Sequence, residues 1–458
     1  MSLLNTLKEQ LSDEPLLSAS HIVVAYSGGV DSHVLLHALH NIRQTQHFNF
    51  QLSAIHIHHG LSSNADQWQS HCQQVCAQLN IGYQTANVAV VALPRQSLEA
   101  LAREARYNTL VELAPANSQI LLGQHQDDQL ETFLLQLKRG AGPKGLSAMN
   151  RAWESESPLQ SDKKVGFYRP LLDVSQQTIL NYAQQHKLQW CEDESNQNTD
   201  FERNFLRHDV LPVLHSRWPE LARSVARSAA LCQEQQSLLD EICAEKLQKI
   251  KASANSLALS ELTKLTQPWV HQLVRYWLSE LGIQSPSMAV LNQLMPEVLD
   301  AAEDATPILQ WQGWQFRRFD NQLFVIKAEP AKVTFNKEWQ QQKSIQLPNN
   351  QGELIFSPIV KRQGETQSGL IVDPSLGPII IRTGGFSVRF KPVGSQYSKP
   401  IKQWFKQWKV APWLRESALL VIQNEQVLGL LIEGVWHLGQ SIKSNGADTR
   451  LWLATLEN

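Results

Sequence analysis

The stretch His21-Ile-Val-Val-Ala-Tyr-Ser-Gly-Gly-Val-Asp31-Ser32 constrains the fold of this chain more than any other. Five of the six residues from Ile22 to Ser27 are apolar or aromatic, the pattern of a parallel strand buried on both faces. Ser27, Gly28 and Gly29 are small enough to turn sharply and let a ligand reach the backbone. Val34, Leu35, Ala38, Leu39 and Ile42 then recur at helical spacing, so a helix begins near Asp31 or Ser32. A strand turning through glycines into a helix N-terminus presents free N–H donors and a partial positive charge. That is a seat for phosphate or pyrophosphate. An ordinary strand-turn-helix connection uses the same residue types, and no Walker A motif, G-x-x-x-x-G-K-[ST], occurs in the chain.

What stands instead is SGGVDS, which resembles the pyrophosphate loop of the N-type ATP pyrophosphatases. Those enzymes cleave ATP to AMP and pyrophosphate while adenylating a substrate oxygen. On that resemblance Ser27, Gly28, Gly29, Val30, Asp31 and Ser32 bind ATP.

The rest of the N-terminal part reads as further strands and helices. Phe50 to His56 is a second strand, running into Ile57-His58-His59-Gly60. No Cys or carboxylate spacing supports a metal site there, so His58 and His59 read as a loop at a strand's carboxyl end, where nucleotides sit in open α/β sheets. Asp66–Leu79 and Leu98–Leu113 read as helices. In the second, Glu99 and Arg103 form an (i, i+4) pair at the surface, or Arg103 or Arg106 faces the site. Ile120-Leu121-Leu122-Gly123 is a short strand leading into His125-Gln-Asp127-Asp128 and Glu131. Adjacent acids suit a helix N-terminus. Alternatively Asp128 and Glu131, three apart on one helix face, hold Mg²⁺ on the ATP phosphates with Asp31. The G-x-G-x-x-G at Gly140–Gly145 lacks a preceding strand and ends a helix instead. Residues 151–165 are polar and aperiodic, predicting a flexible surface loop. Ser175 caps a helix ending near His186, and Arg203-Asn-Phe-Leu-Arg207 lies on a helix ending around Pro212.

Beyond it, Pro219 to about Lys251 predicts a long amphipathic helix, followed by helices around 268–281 and 286–302 and short β runs over 308–327. Arg317-Arg318 reads as a solvated edge or an RNA contact. A polar stretch near 329–350 reads as a linker into a β-rich end. Between Ile380 and Arg415 stand eight basic residues and no acid. There Ile401, Trp404, Phe405 and Trp408 form a core stripe, while Lys399, Lys402, Lys406 and Lys409 occupy another face. With a net charge of only −2, any nucleic acid must bind such a local patch.

At 458 residues the chain has length for about three domains. It contains no run of about 18 apolar residues and no signal pattern, which predicts a cytoplasmic protein that does not engage a membrane. Its five scattered cysteines include no C-x-x-C pair, which suggests incidental thiols.

SGGVDS, HIHHGL, LAREARY, HQDDQLET, LKRGAGPKGL, RPLLD, EDESN and RNFLR occur together in this order over residues 21–217. That set resembles the bacterial tRNA(Ile)-lysidine synthetase family. The resemblance implies a doubly wound, mostly parallel α/β domain at 1–217, like the adenine nucleotide alpha-hydrolases, that binds ATP and catalyses. A mainly helical substrate-binding domain at 218–328 and a small α+β tRNA-binding domain at 329–458 would follow. It further implies that free L-lysine is joined to C2 of the wobble cytidine of isoleucine tRNA with a CAU anticodon. The tRNA is first adenylated by ATP, releasing pyrophosphate and then AMP. Codon specificity then changes from AUG to AUA, and amino-acid identity from Met to Ile.

The implied site comprises Asp31, Asp128, Glu131, Arg203 and Arg207 for catalysis, with Mg²⁺ on Asp31 and Asp128, and His58 joining the ATP loop. Arg103, Arg106, His125 and Glu131 would take lysine, and Lys399, Lys402, Lys406, Lys409 and Arg415 would take tRNA. A homodimer is allowed for. Only about one lysine side chain in 2,500 is uncharged at pH 7, so a proton acceptor is needed, for which Glu131 is the choice. Arg203 or Arg207 would stabilise charge developing on the phosphate. A tRNA thiolase would need catalytic or cluster-binding cysteines. A GMP- or asparagine-synthetase-like enzyme would usually carry a glutamine amidotransferase part, and a non-catalytic ATP-binding regulator would not need the acidic motif.

Overall fold

A computed structural model describes residues 2–45, 48–58, 64–88, 98–157, 163–302, 305–328, 334–348, 352–358, 369–440 and 452–457. The chain divides into two compact units, Met1–Glu241 and Ile242–Asn458.

In the first unit the elements run α1 (Leu3–Leu11), β1 (His21–Ala25), α2 (Val30–Arg43), β2 (Gln51–His58), α3 (Ala65–Gln78), β3 (Gly82–Asn87), α4 (Leu98–Leu113), β4 (Gln119–Leu121) and α5 (Gln126–Lys138). They continue with α6 (Pro143–Leu146), β5 (Ala152–Glu156), β6 (Lys164–Tyr168), α7 (Gln176–Gln185), α8 (Glu202–Phe205), α9 (Leu211–Arg217) and α10 (Leu221–Ile250). The sheet order is β3-β2-β1-β4-β6-β5, parallel except for the edge pair β5–β6. Successive residues of β1 serve opposite layers. Ile22 and Val24 pack with α1, α2 and α7, whereas Val23 packs with Ile120 and the α4 residues Leu110 and Val111. A strand covered on both faces has to be apolar along its buried run, here Ile22–Val24, which is why its sequence is so legible. This is the doubly wound α/β fold that the sequence indicates.

Strand order reverses at β1 and β4, which pair in register with Val23 opposite Ile120. The loops leaving their carboxyl ends therefore lie side by side, at the position where open α/β sheets bind ligands. Gly123 brings them together. A Cβ there would stand 3.0 Å from the backbone N of Ser32 and 3.2 Å from the carbonyl carbon of Asp31.

Three expectations need correction. Much of the stretch expected to be a loop over 151–165 is strand: β5 and β6 form an antiparallel pair, with Trp153 opposite Phe167, while residues 158–162 lie outside the described residues. The helix carrying Arg203 and Arg207 does not end at Pro212. α8 passes through a π-helical turn, Leu206–Val210, into α9, where Pro212 occupies the first turn. Within the presumed linker 329–350 lie two strands, Asn336–Trp339 and Ser344–Gln346.

The second unit begins with the end of α10 and the helices Gln267–Glu280 and Met288–Gln293. It carries one five-stranded sheet that includes Ile308–Trp311, Trp314–Phe319 and Gln322–Lys327, then a further five-stranded and a four-stranded sheet. Among the described residues no helix is long and apolar enough to cross a membrane.

Gly123→Ala should lower the urea unfolding midpoint by the equivalent of about 1–3 kcal/mol, because the added methyl meets backbone that cannot step aside. An unchanged midpoint would mean that the two loops are free to separate.

Candidate active site

The turn after β1 is held open by its own side chains. Ser32 Oγ accepts from the Ser27 N–H at 3.2 Å, lies 3.0 Å from Ser27 Oγ and donates to the Gly29 carbonyl at 3.1 Å. Gly28 has φ +89°, and a Cβ on it would meet Cys72 Sγ at 3.0 Å, so glycine is required there twice over. The Gly28 carbonyl accepts from the Cys191 N–H at 2.9 Å. α2 then starts at Val30 with Gly29 as N-cap and no side chain capping it. Its first N–H groups are thus left for a ligand.

The turn after β4 supplies the carboxylates. His125 caps α5: its Nδ1 accepts from the Asp127 N–H at 3.2 Å, so the neutral ring carries its proton on Nε2. That nitrogen lies 3.7 Å from Asp31 Oδ1 and 3.6 Å from Asp128 Oδ2, drawing the two loops' carboxylates together. Asp31 Oδ1 is buried without a hydrogen-bond partner. Burial pushes the Asp31 carboxyl up, aided by Asp128, while His125 and Arg207 oppose the shift. The adjacent acids divide the two readings between them. Asp127 turns away to the Gln176 N–H at 2.9 Å and His215 at 3.2 Å, whereas Asp128 faces the site and also accepts from the His125 N–H at 3.0 Å.

Glu131 is only 1% exposed. Arg207 grips it through two bonds, Nε to Oε1 at 2.9 Å and Nη2 to Oε2 at 3.0 Å, while Arg203 Nε stands 3.1 Å from Oε2. Arg207 also reaches Asp128 at 3.3 Å, and Arg203 donates to Thr132 Oγ1 at 2.8 Å. Burial raises the Glu131 carboxyl, with Arg207 pulling the other way. Sealed in this way, the Glu131 carboxylate anchors two arginines. His125, 2% exposed, turns toward the carboxylates of Asp31 and Asp128.

The other expected residues are less convergent. His58 ends β2 and pairs with the exposed Asp66 at 3.1 Å; His59 and the side chain of Glu99 lie outside the described residues. Arg103 and Arg106 flank the Tyr107 ring at 5.3 and 5.7 Å, and Arg103 lines a cavity of about 700 Å³ that Arg203 also borders.

Models of known families match three parts of the chain: a PP-loop domain over residues 2–214, a TilS substrate binding domain over 257–324 and a TilS substrate C-terminal domain over 379–449. The tRNA(Ile)-lysidine synthase of Serratia proteamaculans is 40% identical over 439 residues, covering 95% of this chain and 96% of that protein. That of Edwardsiella ictaluri is 36% identical, covering 93% and 94%. That of Vibrio cholerae is 40% identical, covering 89% of each. The chain belongs to the tRNA(Ile)-lysidine synthase family.

In this tRNA(Ile)-lysidine synthase homologue, the residues of the expected basic patch sit on and around one short helix. Ile401, Trp404 and Phe405 of the helix Ile401–Gln407 are buried as core, and Trp408 packs on that core half-buried. Lys402 and Lys406 are exposed on that helix. Lys399 precedes it and bonds to Gln407 at 3.1 Å, and Lys409 follows it and pairs with Asp320 at 2.9 Å. Arg415 is half-buried, donating to the Val410 carbonyl at 2.8 Å. Arg317 and Arg318 are not a solvated edge either: Arg317 donates to Gln315 at 2.8 Å and Arg318 to the Leu299 carbonyl at 3.2 Å.

Arg207→Ala should destabilise the fold by about 2–4 kcal/mol, because it strips a buried carboxylate of two charged hydrogen bonds. Combined with Glu131→Gln, the loss should fall short of the sum of the single losses by at least about 1 kcal/mol in thermal or urea unfolding. Strict additivity would mean that the pair is not coupled.

Proposed function

We propose that this chain is an ATP-dependent ligase that joins lysine to C2 of the wobble cytidine in an isoleucine tRNA with a CAU anticodon, by way of an adenylated tRNA. The observation that carries this reading is the meeting of an open glycine turn and the Asp31–Asp128 pair at the sheet's switch point, in a chain 40% identical to named tRNA(Ile)-lysidine synthases over nearly its whole length.

The Ser27–Ser32 turn receives the phosphates on the N–H groups that open α2. A divalent cation fits beside it. Asp31 Oδ1 is buried and unbonded, and Asp128 meets the same histidine nitrogen. Among the described residues no group of three or more His, Cys, Asp or Glu side chains is arranged to hold an ion. Mg²⁺ commonly takes one or two carboxylates and completes its shell from phosphate and water. Asp31 and Asp128 would hold it, and its charge would offset that of the triphosphate.

Cytosine's O2 is a poor leaving group, so it attacks the α-phosphorus, forming a P–O bond and expelling pyrophosphate. The ε-ammonium of lysine gives up one proton before it attacks, with Glu131 as the acceptor in this reading. The nitrogen loses a second as it bonds to C2 and AMP departs with that oxygen, both protons passing on to solvent. Arg203 and Arg207, aligned by Glu131, supply positive charge where the phosphate becomes more negative. Arg103 and Arg106 serve lysine, and His58 borders the nucleotide. Lys402 and Lys406, with Lys399, Lys409 and Arg415 in support, serve the tRNA backbone within a 329–458 domain, while residues 1–217 carry the chemistry.

Incubation with ATP, labelled lysine and unmodified isoleucine tRNA should release AMP and pyrophosphate only when tRNA is present, and nucleoside analysis should find lysine on cytidine. Release of ADP, or pyrophosphate without tRNA, would overturn the reading. Charge reversal at Lys402 and Lys406 should weaken tRNA binding and flatten its dependence on salt by about one unit of slope per lost phosphate contact. Unaltered affinity and slope would remove the helix from the tRNA interface.

A further inference from the structure

The 700 Å³ cavity beside Arg203 is walled by Tyr107, Trp153, Phe167 and Arg169 from the sheet side and by Gln236 and Asp240 from α10, among others. Arg169 is its unusual member. It is 4% exposed, yet its guanidinium bonds to neutral groups, the Gln124 side chain at 3.1 Å, the Asn150 carbonyl and Tyr107, with the Asp128 carboxylate acting on it only from farther off. Its face lies on the Trp153 ring, 4.3 Å from the centroid, and Trp153 in turn stacks on Phe167 at 4.8 Å. Among the described residues no carboxylate pairs with it. A cation taken out of water without an anion is costly, and a stacked, fork-shaped guanidinium suits a carboxylate. Burial accordingly pulls Arg169 below its ordinary value.

The opposite charge is present in the same cavity but on a different element. Asp240 stands on α10 and accepts from Gln236 Nε2 at 2.7 Å. Arg103, Lys144 and Arg203 line the cavity besides Arg169, and among the described residues Asp240 is its one acid, so an occupant matched to both walls carries an anionic group and a cationic one, as the head of an α-amino acid does. The cavity also adjoins the reacting groups. Arg203 is common to it and to the Glu131 cluster, and Gln124, which Arg169 holds, is next to His125. The head group would therefore sit between Arg169 and Asp240, with the side chain reaching toward the Arg203–Glu131 cluster.

Building on the lysine-transfer reading above, we infer that Arg169 binds the α-carboxylate of the incoming lysine and Asp240 its α-ammonium group, the two residues setting selectivity for a whole amino acid over a simple amine.

Truncated substrates test each contact. Pentane-1,5-diamine keeps the reacting amine and lacks the carboxylate; 6-aminohexanoate keeps the carboxylate and lacks the α-amine. Each is measured by kcat/KM for transfer to tRNA, or by its inhibition constant against lysine where turnover is slow. Arg169→Gln should lower kcat/KM for L-lysine about 10- to 100-fold, mainly through KM, and change the diamine less than about threefold. Asp240→Asn should do the same for L-lysine while sparing 6-aminohexanoate. Arg169→Lys, which keeps the charge and loses the fork, makes the same comparison if the glutamine variant fails to fold. Equal losses on the full and truncated substrates would reduce both residues to structural supports. A raised KM for tRNA with unchanged lysine selectivity would make Arg169 a phosphate contact instead. L-lysine binding by calorimetry separates this inference from the reaction on which it rests. Binding that depends on Arg169 in an enzyme that transfers no amine would leave the seat standing and the reaction wrong, and no binding would remove both.

Discussion

Two turns from different strands cannot share one ligand unless their backbones touch, and here they touch at Gly123. With no side chain between them, the chain leaving β4 lies against the first peptides of α2, and everything charged in the site follows from that approach. Asp31 rides on α2 and Asp128 on α5. The His125 ring bridges them only because the two helix starts are as close as bare backbone allows. The sheet's switch in strand order puts the turns side by side, and the missing Cβ closes the remaining distance.

Around this contact the protein handles its buried charges in two ways. Glu131 is neutralised internally by two arginines, which fixes their direction and leaves little freedom for either to wander. Arg169 is buried too, but against amide oxygens and an indole face, an arrangement that tolerates the charge without cancelling it. The first arrangement is complete in itself and serves to aim groups. The second remains electrostatically unfinished.

The sequence was most readable where burial left it little choice. β1 is apolar from Ile22 to Ala25 because both its faces are covered there, and the small residues after it declare a turn that nothing larger could make. The acidic pair could be narrowed to a helix start, yet nothing in its spacing says that Asp127 holds α7 and α9 while Asp128 faces inward. That depends on which neighbours the helix meets. The β5 strand was missed because an edge strand with polar alternation looks like loop, although Trp153 and Ser155 do alternate inward. Arg169 was passed over within RPLLD for a similar reason: its neutral partners are distant in sequence, at Gln124 and Asn150. Glu131 was legible as important but not as sealed, since Arg203 and Arg207 reach it from more than 70 residues away.

The wide turn at Leu206–Val210 explains how one short helical run serves two masters. A π-type turn accommodates an additional residue within a helix and rotates everything beyond it relative to an unbroken α-helix. Here Arg207, inside that turn, points at a carboxylate, while Leu211, just after it, joins Leu130 and Ala222 in an apolar cluster. Both partners, Glu131 and Leu130, are consecutive residues of α5. A chain shortened by one residue here would have its phase reset, and could keep the ionic grip or the apolar anchor but not both. The irregularity is thus a gear between two incompatible registers.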